Sequence, residues 1–374
     1  MNTKKLPLYL VSVLFLGLLV MFSACGSNEG SSDTLPIARG SAGELLLVMD
    51  SASWQSELGD ELRETFLKAM PGLPQAEPYF SVRYVDPFKL NRVLRSAKNM
   101  LFVATLNNET IGGRKMRSFF TEASVERIEE DPNLYQFSKK NQFARGQEVL
   151  FLFGTSDDAL IENLQNNREE IRNHFHKVEI NRLQESLYKV NEKRKLSNSF
   201  LKENGFYFRV PFGYEEVPLE KDNENFVWVR NLGDIADRSI FVAYKDYDSE
   251  EAFKPENILD FREEIFSNRD ISDDTTVYMT HQSWSSTPLV EFDTVNFNGK
   301  YAIEARGQWK LSNDSRGGPF ISYTFVDEET GRLYYIEGFV YRPSENKRDF
   351  VREVEAILKT FKTSGETNQK QATS

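Results

Sequence analysis

Glu304 and Arg306 sit in a run whose alternate positions, Tyr301, Ile303, Ala305, Gly307 and Trp309, are apolar or small. A period of two is that of a β-strand, so both charged side chains project from the face opposite Tyr301, Ile303 and Trp309. Glu337, which alternates with Ile336 and Gly338 on a last strand, and Arg230, which follows Trp228 on an early one, are expected to share that charged face. The ordinary chemistry of such a quartet is cross-strand ion pairing. The alternative is recognition, in which Arg306 and Arg230 receive an acidic group of a partner or envelope ligand and the carboxylates orient the guanidinium groups.

Other chemistries find less support. No Gly-x-Ser-x-Gly nucleophile elbow occurs, and the chain has three His residues. His174 and His176, two apart, lie about 200° around a helix from each other, unlike an i, i+4 metal pair, and read as surface residues. His281, in the polar stretch His281-Gln282-Ser283-Trp284-Ser285-Ser286, reads as a loop residue. Gly112-Gly113-Arg114-Lys115 could cradle an anion on backbone amides but lacks phosphate-loop spacing, which favours a plain turn. With 57 acidic residues against 46 basic ones, carboxylate pairs are too common to mark a glycosidase. Trp228, Trp284 and Trp309 could line a groove for glycan or peptide, although aromatics in strands more often pack in the core. No catalytic residue, metal or cofactor is expected.

Lys4 and Lys5 precede an apolar run from Leu6 to Phe22, the charge and length pattern of a secretory signal. Phe22-Ser23-Ala24-Cys25 resembles the lipobox of bacterial lipoproteins, with Phe22 where Leu is usual. Cys25 is the only Cys, so disulfides, zinc ribbons and Cys nucleophiles are set aside, and its thiol sits where acylation would use it. The expected product loses residues 1–24 and is tethered to a membrane by acyl chains, palmitate among them, on Cys25. Residues 25–38, polar and rich in Gly and Ser, read as a flexible linker. The net charge of -11, more negative once Lys4 and Lys5 are removed, excludes nucleic acid as a natural partner. An envelope protein or glycan remains.

Two textures divide the body. Over 39–200, buried runs such as Leu45-Leu46-Leu47-Val48-Met49, Met100 to Leu106 and Val149 to Phe153 alternate with amphipathic segments. One of these carries Trp54, Leu58, Leu62 and Phe66 on a single helix face closed by Pro71-Gly72, and a further helix is expected to open at Pro87. This predicts an α/β domain with a mostly parallel sheet, ending in a long charged helical divider from Asp157. Over 201–363, alternation dominates, and Asn298-Gly299 and Glu329-Thr330-Gly331 supply hairpin turns. An antiparallel meander with packed helices, an α+β sandwich, is predicted there, the last helix bearing Phe350, Val351, Val354, Ile357, Leu358 and Phe361. Two cores are expected to meet near 196–205, and 364–374 reads as a disordered tail.

Gly43-Glu44-Leu45-Leu46-Leu47-Val48-Met49-Asp50, Leu58-Gly59-Asp60-Glu61-Leu62-Arg63, Pro71-Gly72-Leu73-Pro74, Gly317-Gly318-Pro319-Phe320 and Glu337-Gly338-Phe339-Val340-Tyr341 resemble the Bacteroidota lipoproteins grouped as domain of unknown function 4837, from about Arg39 to Lys362. The resemblance implies an envelope lipoprotein and carries over no catalytic residue. Strand and helix order in the second half also resembles the photosystem II P-type (PsbP) and Mog1-type sandwich, which speaks to fold alone. Three functions are thereby framed: a non-catalytic binding or assembly module, a hydrolase acting on envelope glycan or peptide through acidic residues, and a small-molecule carrier. Clustered carboxylates at the bottom of a cleft favour the second, an enclosed apolar pocket the third.

Overall fold

The computed structural model describes residues 34–131, 133–218, 225–267, 276–284 and 287–367. Cys25 and the signal segment expected over 1–24 lie outside them. By Ile37 the chain is already held, since Ile37 bridges Arg145 and the amide of Ala38 donates to the Arg145 carbonyl at 2.9 Å. The flexible linker expected through residue 38 therefore ends sooner.

The N-terminal half is built on β1 (Glu44–Val48), β2 (Ser81–Val85), β3 (Asn99–Thr105), β4 (Gln136–Lys140) and β5 (Glu148–Gly154). They form one sheet in the order β2-β1-β3-β5-β4, parallel except for β4. Every residue of β3 and β5 is buried, as a strand covered on both faces requires. The helical face expected from Trp54 to Phe66 is two helices, α1 (Ser51–Trp54) and α2 (Glu57–Phe66). The chain breaks at Gln55 and restarts at Ser56, which has extended backbone and precedes α2 as its cap residue. Two 3₁₀ turns, Pro87–Lys89 and Leu94–Ser96, stand where a helix was expected to open at Pro87. α3 (Ile111–Arg117) and α4 (Glu122–Glu130) follow β3, and α5 (Asp157–Leu187) is the predicted divider. α5 is bent at Asn167, whose side chain donates to the Asn163 carbonyl at 2.8 Å.

After α6 (Arg194–Asn204), short strands β6 (Phe206–Tyr207) and β7 (Glu215–Glu216) lead into β8 (Phe226–Leu232) and β9 (Asp237–Asp246). α7 (Pro255–Ser267) precedes β10 (Met279–His281), the small β11 (Ser283–Trp284) and β12 (Thr287–Pro288), and the meander β13 (Val290–Phe297), β14 (Lys300–Leu311), β15 (Gly317–Asp327) and β16 (Arg332–Tyr341). The large sheet runs β10-β14-β15-β16-β9-β8-β7, antiparallel throughout, with β13 pairing the first part of β14. Asn298 and Gly299, at φ 52° and 93°, make the expected two-residue hairpin. α8 (Arg348–Leu358) lies across this sheet, and β17 (Lys362–Thr363) pairs β6. Residues 364–367 form a helical turn in which Glu366 bonds Lys300 and the Thr363 amide, so the tail expected from 364 starts with an ordered turn. The mixed parallel sheet with helices and the antiparallel sheet with packed helices are those predicted.

Three apolar clusters organise the layers. One lies under α3 and α4 on the outer face of the first sheet, and another under α7 on the outer face of the second. The third is continuous from Leu45 through Leu62, Leu164 and Phe175 to Ile336, Val354 and Phe361. It fills the space between the sheets, where α2, α5 and α8 pack. The two halves thus share the largest core.

Candidate functional site

β14 carries Glu304 and Arg306 on the row that includes Ala302, with Tyr323 and Ile321 beside them on β15. That row faces α8 and the shared core. Arg306 is 5% exposed, so it must find its partners inside the protein. Its Nε donates to Glu304 Oε1 at 2.6 Å and its Nη2 to Glu355 Oε2 at 2.9 Å. The pairing is within a strand and to a helix, not across strands. Glu355 projects from α8, and both its oxygens contact His176 Nε2, at 3.0 and 3.1 Å. The Tyr323 hydroxyl donates to Glu355 Oε1 at 3.4 Å. His176, read from sequence as a surface residue, is 7% exposed, because α5 is wedged between the sheets.

Burial alone would raise the Glu355 carboxyl, but the charges of His176 and Arg306, the His176 hydrogen bond and nearby Lys359 outweigh it and hold the group well below the usual carboxylate range. Burial opposes the charge on Arg306, and Glu304 and Glu355 overcome it, so the guanidinium stays charged. Lys359, 4.3 Å from the Tyr323 ring and 5.0 Å from the Phe297 ring, is pulled down by burial, with Glu355 and Glu304 in opposition.

These groups form part of the lining of a cleft of about 650 Å³ between α5, β13, β14 and α8. Arg172, one turn before His176, lies 4.9 Å over the Tyr79 ring, which meets His176 edge-on at 5.8 Å. Arg306 Nη1, Arg172 Nε and His176 Nδ1 are buried nitrogens without a hydrogen-bond partner in the described protein. Each such group costs about 1 to 3 kcal/mol until a partner reaches it. Lys68, Arg172, Lys177 and Lys359, all in the lining, form no ion pair with any described residue.

The cleft exists because the halves are locked together around it. Glu77 accepts from the Lys347 and Arg348 amides at 2.7 and 3.1 Å, capping α8 from the N-terminal half. Gln184 on α5 donates to the Ala356 carbonyl at 2.8 Å. Gly72, at φ +78°, rests on β14 so closely that an added Cβ would lie 2.8 Å from the Gly307 amide nitrogen, so both conformation and space demand glycine.

The four residues predicted to share one charged face do not. Glu337 stands opposite Ser322 and Phe241, on the other side of the sheet from Glu304 and Arg306, because the register shifts its row by one. It is fully buried against α7, bonded to Arg262 Nε at 2.8 Å and Nη2 at 2.9 Å and to the Tyr335 hydroxyl at 2.6 Å. Arg230 shares that outer face, half-buried, its guanidinium 5.7 Å over the Trp228 ring. His281 belongs to β10, not a loop, opposite Trp309 and 3.2 Å from Glu263, and burial lowers its pKa against the pull of Glu263. Trp228 and Trp309 are buried in the outer core, and the side chain of Trp284 lies outside the described part. Gly112 and Gly113 open α3, and the anion against Gly112 is the chain's own Asp50, whose Oδ1 would sit 1.9 Å from a Cβ there, while Gly113 abuts Asn108. Among the described residues no cluster of His, Cys, Asp and Glu could hold a metal, and no helix is long and apolar enough to cross a membrane.

No curated protein matches the chain. Similar solved structures include the Saccharomyces cerevisiae Ran-binding protein Mog1p, at 13% identity over 44% of this chain and 93% of that one with a TM-score of 0.30. A mutant of protein Mog1 follows at 12% identity, 43% and 91%, with a TM-score of 0.27. Residues 38–188 match a separate family, Domain of unknown function (DUF8532), so the first three motifs quoted above fall under that model and the resemblance read from Arg39 onward divides at the end of α5. Residues 193–360, most of the second half, match the family Domain of unknown function (DUF4837), the family that the sequence resembles.

Proposed function

We propose that this is a binding lipoprotein of the bacterial cell envelope, held to a membrane by acyl chains on Cys25, that recognises an acidic ligand in the cleft between its halves. The observation that carries the binding site is the convergence on one cleft of two buried guanidinium donors without acceptors, Arg306 Nη1 and Arg172 Nε, beside the unpartnered His176 Nδ1. A carboxylate or phosphate oxygen supplies what they lack, and binding at a closed polar site makes such bonds strong. Glu304 and Glu355 orient Arg306, the role expected of carboxylates beside a recognising guanidinium.

The hydrolase reading draws on the same carboxylates, but Glu355 is held ionised by its neighbours and is poorly suited to donate a proton. The carrier reading wants an apolar enclosure, whereas this lining is mostly charged and amide side chains.

Two measurements test the proposal. In cells, lipid on Cys25 is read by mass spectrometry, and Cys25→Ser should leave the membrane fraction; firm retention of that variant would place the anchor elsewhere. In solution, the Cys25→Ser protein should gain thermal stability from citrate or inorganic phosphate, and Arg172→Ala should abolish the gain. Equal gains in both proteins would remove the cleft from consideration.

A further inference from the structure

We infer that the acidic ligand enters the cleft as an extended peptide that adds a strand to the free edge of β13. The inference rests on the anion-binding reading above and goes further, to the class of ligand.

β13 pairs β14 along its whole length, and among the described residues no strand pairs its other side. The cleft is lined by Glu291, Asp293 and Val295, which stand opposite Arg306, Glu304 and Ala302 and so share their face. It is lined as well by Thr294 and Asn296, which belong to the opposite face. Residues of both parities line a cleft only if it reaches the edge of the strand, where every second residue points its N–H and C=O outward. Those groups are the usual template for strand addition.

The opposite wall is one face of α5. Arg172, His176 and Ile180 recur at four-residue spacing, and the lining extends from Glu169 to Gln184, roughly 22 Å of helix at 1.5 Å per residue. Glu291 to Asn296 on β13 span about 17 Å at 3.4 Å per step. The groove therefore holds an extended segment of about six residues between a strand edge and a helix.

A guest strand in this position alternates its side chains across the two faces of the sheet. One set points to the side of Arg306 and meets Arg172 and His176 from α5. An Asp or Glu side chain there accepts the hydrogen bonds that Arg306 Nη1 and Arg172 Nε have left to give, beside the unpartnered His176 Nδ1. Main-chain bonds to β13 hold the peptide, and the buried cations select its acidic residue.

The test uses the purified Cys25→Ser protein and a displayed library of random peptides of about ten residues with one fixed central Glu. Enriched peptides are synthesised, and binding is measured by calorimetry together with amide hydrogen exchange of the protein. N-methylation at alternate peptide amides should weaken binding about ten-fold in one register and little in the other, the signature of main-chain pairing on one side. Exchange over 290–297 should slow, and replacing the central Glu by Gln, or Arg172→Ala in the protein, should also cost about ten-fold, as lost charge-assisted bonds do. Binding without methylation periodicity and without protection of 290–297 overturns strand addition. So does a failure of any peptide to enrich while citrate or phosphate still stabilises the wild type and not Arg172→Ala, and in that case the anion cleft stands. If neither peptides nor small anions respond to Arg172→Ala, both readings fall. A peptide that binds β13 equally with Glu or Gln removes the acidic selection.

Discussion

One antiparallel sheet carries a buried arginine with buried carboxylate partners on each of its faces, and the two constellations are put together differently. On the outer face Arg262 of α7 and Glu337 of β16 are both wholly inaccessible, joined by two parallel hydrogen bonds, with Tyr335 on the carboxylate and the Phe320 and Phe266 rings 4.6 and 5.2 Å from the guanidinium. Arg262 Nη1 also has no acceptor, but it is walled in by those rings. On the inner face Arg306, Glu355 and His176 use part of their bonding capacity on one another and turn the remainder to a cleft. Unpartnered donors alone therefore do not mark a site. A site needs donors that a ligand can reach.

The sharpest way to break this contrast is to remove Glu337. Glu337→Ala leaves Arg262 charged in an apolar layer and should cost about 3 to 5 kcal/mol, read as a lowered urea midpoint. Stabilisation by citrate or phosphate should persist in whatever fraction stays folded. If the ligand response disappears with the fold intact, the two faces are coupled and the outer pair is more than an anchor for α7.

His176→Ala should cost less, about 1 to 3 kcal/mol, because Glu355 keeps Arg306 and Tyr323 and the opened space adjoins the cleft. The same network has a pH signature. The folded state holds the Glu355 carboxyl well below its ordinary value of 4.5, so it binds the proton less readily than the unfolded chain does. Its stabilisation is complete above that value and is lost as pH falls through the folded pKa. Stability measured from pH 7 down to 3 should therefore fall more steeply for the wild type than for Glu355→Gln. The residual slope of the variant belongs to Glu61, Glu179 and Glu192 and, nearer neutral pH, His281, whose pKa values are lowered too, with the raised Glu216 opposing them. Parallel curves would mean that Glu355 is not ionised by its neighbours.

The two sheets, the divider and the hairpin at Asn298-Gly299 were legible because each rests on periodicity or turn chemistry, which are local properties. That Glu304 and Arg306 share one strand face was legible for the same reason. Glu337 was assigned to the wrong face because the row a residue joins depends on register between strands, which no single strand reveals. Glu355 and Arg172 went unnoticed and His176 was read as a surface residue, yet a signal was present. Glu355 interrupts the stripe Val351, Val354, Leu358 at an i+4 position, as Arg262 interrupts Ile258, Phe261, Ile265, and His176 adjoins Phe175. A charge set within the apolar stripe of a helix is a candidate buried ion pair, although its partner can be named only once the packing is known. The shared core was hidden likewise, since hydrophobic pattern shows which face is buried and not against what.

The smallest effect is expected at Arg230, the member of the sequence-derived quartet that the fold sets apart. It lies near the end of β8, half-buried, with its guanidinium over Trp228 and no ion pair to a described residue; its register partner Glu215 bonds Lys193 instead. Arg230→Ala removes one cation–π contact and should cost about 0.5 to 1 kcal/mol. Because β9 separates it from Glu337 and the whole sheet separates it from the cleft, neither the α7 anchor nor the response to citrate should change. A loss above 2 kcal/mol, or a weakened ligand response, would show that the outer face acts as one charged surface after all, and would restore the grouping that the register has divided.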